Sequence, residues 1–137
     1  MSDAKSSNDA LMESARTVRE QAHAPYSGYH VGAVVEDDTG AVHVGCNVEN
    51  ASFPEGICAE TAAIAAMVAA GKRLIMRIAI VGGRADGALE NCTPCGGCRQ
   101  RIAEFANAGT EILLLGDDGH LLTLTIADLL PYSFSLK

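Results

Sequence analysis

Cys58, Glu60 and the run Pro94-Cys95-Gly96-Gly97-Cys98 are the residues of this chain whose types and spacing could do chemistry. Zinc takes soft thiolate or imidazole donors in a tetrahedron. A Cys-x-x-Cys turn offers two thiolates to one ion, and Cys58 offers a third from a different helix start. Partial positive charge at both helix N-termini favours the ionised thiols. No fourth ligand is evident. Three protein ligands and an open position describe a catalytic centre with water in the gap, whereas a structural site would close its tetrahedron. Glu60 follows Cys58 by two residues. On the first turn of a helix it reaches that water without being a ligand, and a carboxylate there can take a proton and pass it on.

Two other readings compete for these residues. Taken singly, Cys58 and Cys98 read as small buried hydrophobes and Glu60 as a solvated helix residue; the joint pattern argues against that. Cys92, Cys95 and Cys98 also spell Cys-x-x-Cys-x-x-Cys, but an iron–sulfur run of that kind needs a fourth Cys followed by Pro, and positions 99–103 hold none. The five cysteines are odd in number, and clustering of this kind in a reduced chain favours metal or catalysis over disulfides. Cys46 reads as mid-strand core and Cys92 as a loop thiol, neither a ligand. His23, His30, His43 and His120 show no ligand spacing and read as surface or satisfied histidines.

The elements that must position this cluster follow from periodicity. Leu11, Ala15, Val18 and Ala22 form one apolar stripe, which predicts a helix over 7–24, capped by Ser6, Ser7 or Asn8 and ended by Pro25. A Pro-Tyr-Ser-Gly-Tyr loop leads to a hairpin, with strands at 31–36 and 41–48 around Asp37-Asp38-Thr39-Gly40. The Ala-rich stretch from Cys58 predicts a helix that Gly71 stops. It is apolar almost all round, so it should be covered on more than one side. The apolar run 74–81 predicts a central strand, 82–93 a loop and 95–107 a second helix. Strands at 111–115 and 121–125 and a last helical turn before Pro131 complete the chain. Strands separated by helices imply parallel pairs. The predicted fold is α/β, three layers α/β/α, with one mixed sheet of about five strands in a single domain, 1–137.

Ten Lys and Arg against 17 Asp and Glu give a net charge of −7, which disfavours a nucleic-acid partner. No apolar run approaches the ~18 residues of a membrane span. The polar N-terminus lacks the layout of a signal peptide, so the expected location is cytoplasmic.

At this point the sequence resembles the small cytidine deaminases, over about Ala24 to Phe134. PYSGYHVGA, GCNVENASF, ICAE, TPCGGCRQ and LLPYSF resemble five motifs of that family in the right order. ICAE and TPCGGCRQ also match the known zinc nucleobase deaminase signature, His or Cys, x, Glu, then Pro-Cys-x-x-Cys. The resemblance implies one zinc per chain on Cys58, Cys95 and Cys98, with Glu60 as proton shuttle. It implies that Asn47 and Glu49 bind the ribose 3′-hydroxyl. Two residues apart at a strand end, they face one side; apart from the family they would also pass as turn residues. It further implies that the Ala59 N–H binds the pyrimidine 2-oxo oxygen and the Thr93 carbonyl accepts the leaving amine. Tyr29 stands where the family usually has Phe against the pyrimidine, and Phe134 resembles an aromatic closing a neighbouring subunit's site in a homotetramer. The expected activity is zinc-dependent hydrolysis of cytidine and 2′-deoxycytidine to uridine and 2′-deoxyuridine with release of ammonia, in pyrimidine salvage. Blasticidin S deaminase, which shares the metal motifs but not the Asn-x-Glu pair, and a structural zinc module are the alternatives. Many three-cysteine members carry Arg directly after the catalytic Glu; this chain has Thr61. Thiolate charge must then be offset elsewhere. Helix N-termini and the Cys-Gly-Gly-Cys amides are the first sources; Arg99 or Arg101 is a further one within reach, though both are expected to point to solvent or a subunit contact.

Overall fold

A computed structural model describes residues 7–136. Ser6, the polar N-terminal stretch before Ser7, and Lys137 lie outside the described residues. The first helix, α1 (Asn8–Arg19), is capped by Ser7, whose side chain accepts from the Ala10 N–H. It ends earlier than its apolar stripe predicts. The His23 backbone is drawn into a bridge with Val48, donating to the Asn47 carbonyl and accepting from the Glu49 N–H, so the helix cannot continue.

The sheet has five strands: β1 (Tyr29–Asp37), β2 (Val42–Cys46), β3 (Ile75–Arg84), β4 (Glu111–Leu115) and β5 (Leu121–Leu124). Their spatial order is β2-β1-β3-β4-β5. β1 is antiparallel to both β2 and β3, so helix-separated β2 and β3 never pair, and β3 with β4 is the one parallel pair in this sheet. β3 runs three residues past the predicted apolar run. Its glycines are paired in register, Gly82 with Val31 and Gly83 with His30, so strand pairing overrides local propensity there.

Between the strands lie α2 (Ala59–Ala69), α3 (Gly96–Phe105) and a short α4 (Ile126–Leu129), with a 3₁₀ turn at Phe53–Glu55. Gly71, at φ +88°, stops α2 as expected. One core lies between the sheet and α2–α3, built on Ala63, Met67, Ile78, Ile80, Ile102 and Ile112. The other packs Leu11, Met12 and Ala15 of α1 on Val34, Val81 and Leu113. Alternate residues of each strand serve opposite faces, giving the predicted three layers.

Two glycines set how close the helices come. A Cβ on Gly45 of β2 would lie 2.4 Å from the Ala63 nitrogen and 2.6 Å from the Ala59 carbonyl oxygen. One on Gly32 of β1 would lie 2.1 Å from the Ala15 carbonyl oxygen. The first approach seats the start of α2 against the sheet, and with it Cys58 and Glu60. Cys46 ends β2 half-buried instead of sitting in mid-strand core. No helix among the described residues is long and apolar enough to cross a membrane.

Candidate active site

Cys58 is the residue at the N-terminal boundary of α2, and Cys95 holds the same place on α3. The two helices pack together on one sheet face and bring these starts side by side. The sulfur atoms of Cys58, Cys95 and Cys98 lie within 4.8 Å of one another, and those of Cys58 and Cys95 are 4.0 Å apart. A tetrahedral ion with Zn–S bonds of about 2.3 Å holds its sulfur atoms about 3.8 Å apart. The cluster therefore fits zinc in both spacing and donor type. Cys98 is buried, Cys58 half-buried and Cys95 exposed. A hydrogen bond from Cys58 holds the Cys98 thiol well below its usual range, assisted by Thr61, Cys95 and Arg101 against the effect of burial.

Glu60 is 4% exposed on the first turn of α2. Burial pushes its carboxyl up to about 7, and negative charge on Cys98 adds to the rise; Arg101 pulls the other way, as a bound dication would. A buried acid near neutrality beside a thiolate cluster is suited to proton transfer.

The cleft above this cluster has a volume of about 290 Å³, at the small end of ligand clefts. Asn47, Glu49, Cys58, Ala59, Glu60 and Thr93 all line it, so six of the sequence-derived candidates converge on one cavity. Ala59 contributes one of the first N–H groups of α2, which have no acceptor within the helix.

Asn47 and Glu49 are also structural. The Asn47 Oδ1 accepts from the Val31 N–H and its Nδ2 donates to the Tyr29 carbonyl, each at 2.9 Å. The side chain thus acts as a strand partner beyond the end of β2. Glu49 accepts from the Tyr26 and Ser27 N–H groups on one oxygen and from the Ser27 hydroxyl on the other. The Ser27 hydroxyl and those amides hold its carboxyl below the usual range. Each side chain keeps part of its bonding capacity, since an amide has two N–H groups and each carboxylate oxygen two lone pairs.

Tyr29 and Phe134 do not line this cleft. Val31 and Cys92 line the wall instead, and the Tyr29 ring lies beside Cys92, both resting on Gly82. A Cβ on Gly82 would meet the Cys92 Sγ at 2.7 Å. Burial and the neighbouring Cys92 raise the Tyr29 hydroxyl, and burial pushes the Cys92 thiol up to about 11, so both stay protonated. Cys92 therefore lines the cleft without joining the sulfur cluster. Phe134 is 70% exposed, its backbone N–H and carbonyl both bonded to the Gln100 side chain. Arg99 does not point to solvent. It ties the Pro94 carbonyl to the Leu129 carbonyl and braces the Cys-x-x-Cys turn against α4.

Sequence reasoning missed the apolar wall formed by Val31, Val48, Phe53 and Ile57. Val48 and Ile57 face each other through an isolated antiparallel bridge. Phe53 stands at the mouth, 74% exposed and edge-on to Tyr26 at 5.6 Å between ring centres. Val31 lies in β1, but Val48, Phe53 and Ile57 lie outside the sheet, where no periodicity marks them.

Comparison with known proteins agrees with this geometry. Residues 5–113 match the family model described as the cytidine and deoxycytidylate deaminase zinc-binding region. The chain is 37% identical over 127 residues to a cytidine deaminase of Sporosarcina psychrophila, covering 93% of this chain and 90% of that protein. It is 38% identical over 115 residues to the cytidine deaminase of Mycobacterium tuberculosis, covering 84% and 80%. The solved cytidine deaminase of Burkholderia pseudomallei superposes with a TM-score of 0.84 at 39% identity, covering 94% of this chain and all of that one. A family model that matches residues 5–113 and relatives aligned over most of their length place the chain plainly: it belongs to the cytidine deaminase family.

Proposed function

We propose that this protein catalyses the hydrolytic deamination of cytidine and 2′-deoxycytidine, replacing the C4–N bond by C4–O and releasing ammonia. The observation that carries this is Glu60, buried on the wall of a 290 Å³ cleft beside three convergent sulfurs. Cys58, Cys95 and Cys98 hold one zinc ion, which supplies Lewis acidity that makes water a competent nucleophile at neutral pH. Glu60 takes a proton from the attacking water and delivers it to ring N3; it then takes the proton of the new C4 hydroxyl and delivers it to the amine, which leaves as ammonia while C4=O forms. The Ala59 N–H receives the 2-oxo oxygen and the Thr93 carbonyl accepts from the amine. Asn47 and Glu49 offer their remaining bonding capacity to the ribose hydroxyls while fixing the loop that shapes the cleft. Val31 and Phe53 give the base an apolar wall. Tyr29 serves the base indirectly, by backing that wall through Cys92.

The same reading includes a homotetramer with shared sites. Ala65 and Ala69 leave one side of the apolar helix α2 uncovered in the single chain. Phe134 is exposed yet held in place by Gln100, which suits an aromatic presented to a neighbouring cleft. A single catalytic domain, a cytoplasmic location and a role in pyrimidine salvage complete the proposal. No basic patch forms at the cleft, in keeping with a free nucleoside substrate and no nucleic acid.

The test is ultraviolet or ammonia-coupled turnover of cytidine, deoxycytidine and free cytosine by zinc-replete protein. Both nucleosides should react and cytosine should react poorly, because binding of the sugar helps hold the base for reaction. Cytosine turned over as efficiently as cytidine would remove Asn47 and Glu49 from the sugar site. No turnover of any of the three by zinc-replete protein would overturn this reading.

A further inference from the structure

Three thiolates around a dication carry a net charge of −1, and the Glu60 carboxylate adds another negative charge at 4% exposure. Uncompensated charge of one sign is costly where water is excluded. It also feeds electron density from sulfur to the metal and weakens its Lewis acidity. A compensating cation is present in the structure. The Arg101 Nη1 donates to the Cys98 Sγ at 3.7 Å. Arg101 lies three residues beyond Cys98, on the same face of α3, and helical side chains lean toward the N-terminus. The path is kept clear by Gly97, where a Cβ would lie 3.0 Å from that Nη1. From the facing helix, the Thr61 Oγ1 stands 3.7 Å from the same sulfur. The most buried of the three cysteines thus meets two polar groups from two helices. Arg99, the other nearby cation, is committed to backbone carbonyls.

We infer that Arg101, assisted by Thr61, is the counter-charge of the thiolate metal centre. It is a positioning residue that acts through the Cys98 sulfur, withdrawing electron density from it and so keeping the metal acidic enough to activate water. The inference rests on the zinc reading of the cluster. Hydrogen-bonding partners of metal ligands are commonly worth about 10–100-fold in activity or affinity.

Cobalt(II) in place of zinc gives a readout independent of turnover, the sulfur-to-cobalt charge-transfer band. Parent, Arg101→Met, Arg101→Lys and Thr61→Val are each loaded with one cobalt per chain. In Arg101→Met the band should move to longer wavelength, because a more electron-rich sulfur gives up charge more easily. Alkylation of the metal-bound thiolates by iodoacetamide should quicken. In the zinc enzyme kcat should fall by about 10-fold or more with KM little changed. Arg101→Lys should recover part of each effect through its charge. Thr61→Val should give a smaller shift in the same direction, and carries the test if Arg101→Met does not fold. A metal-replete Arg101→Met, or failing that Thr61→Val, whose band and alkylation rate match the parent overturns the inference. A parent chain that takes up no cobalt or zinc overturns the metal reading and this inference with it.

Discussion

Asp37, at the hairpin end of β1, and Glu60, at the start of α2, are both sealed from solvent, at 0% and 4% exposure, yet their carboxyl groups are pushed in opposite directions. Burial works to raise both. At Asp37 it is overcome by donors. The His43 ring lies 2.7 Å from one oxygen, and the Thr39 hydroxyl with the Thr39 and Ala41 N–H groups serve the other, bringing the group to about 2. At Glu60 burial wins, the Cys98 charge adds to it, and the group rises to about 7. Glu36 is a third case, 1% exposed and gripped by both arms of Arg77 at 2.8 and 2.7 Å. The difference teaches that a buried acid is not a functional signal by itself. Asp37 and Glu36 have their charge fully matched and hold the fold, whereas Glu60 faces thiols and a cleft.

The largest expected effect breaks that contrast at its reactive end. Glu60→Gln should keep fold and metal and lower kcat by about 10²–10⁴-fold or more, because several proton transfers pass through one group. A metal-replete variant within tenfold of the parent would return Glu60 to the structural class. Cys98→Ala should lose the metal and with it stability, since the site joins two helices; metal analysis and thermal unfolding read both losses, and full zinc retention would strike Cys98 from the ligands.

At the structural end, Glu36→Gln removes the charge of the carboxylate that the Arg77 guanidinium bonds twice and should cost about 3–5 kcal/mol in denaturant unfolding, with turnover of the folded fraction intact. Replacing both residues by Met should recover most of that loss. The smallest effect is a pH dependence. Asp37 has its folded value depressed from 3.8 to about 2, so its contribution to stability is complete above 3.8 and disappears as the pH falls through 2. Unfolding measured across that window should be flatter in Asp37→Asn than in the parent. Equal slopes would mean the donors around Asp37 do not favour its charged form.

Much of the candidate site was legible because its parts are local. Cys-x-x-Cys spacing places two sulfurs at one helix start whatever the rest of the chain does, and Cys58-Ala59-Glu60 puts a carboxylate one step inside another. Asn47 and Glu49 were legible as a pair facing one way, and both line the cleft. Their second task was hidden. Nothing in Asn-x-Glu states that the amide will bridge the backbone of β1 or that the carboxylate will collect the Tyr26 and Ser27 amides. The position of Tyr29 behind the wall was also hidden, because it depends on Gly82 leaving room for Cys92. Arg101 is exposed, in keeping with its reading as a surface cation, yet its guanidinium reaches back one turn of α3 to the Cys98 sulfur, a choice of side-chain rotamer that residue spacing does not state.

The sequence by itself determined the elements and the chemistry: apolar periods marked the helices and strands, Gly71 marked the end of α2, and the donor types selected a soft metal. These follow from backbone geometry and ligand preference, which act over a few residues. Tertiary structure alone decided the strand order, the one parallel pair in the sheet, and the meeting of Cys58 with Cys95 across 37 positions of sequence. It also decided which buried acid would be neutralised and which left reactive. Those outcomes depend on sheet register and on the close seating of α2 over Gly45, where a single Cβ would collide with the helix backbone. Contacts of that kind are set by how far apart two surfaces come to rest, and that distance is fixed only when the whole core packs.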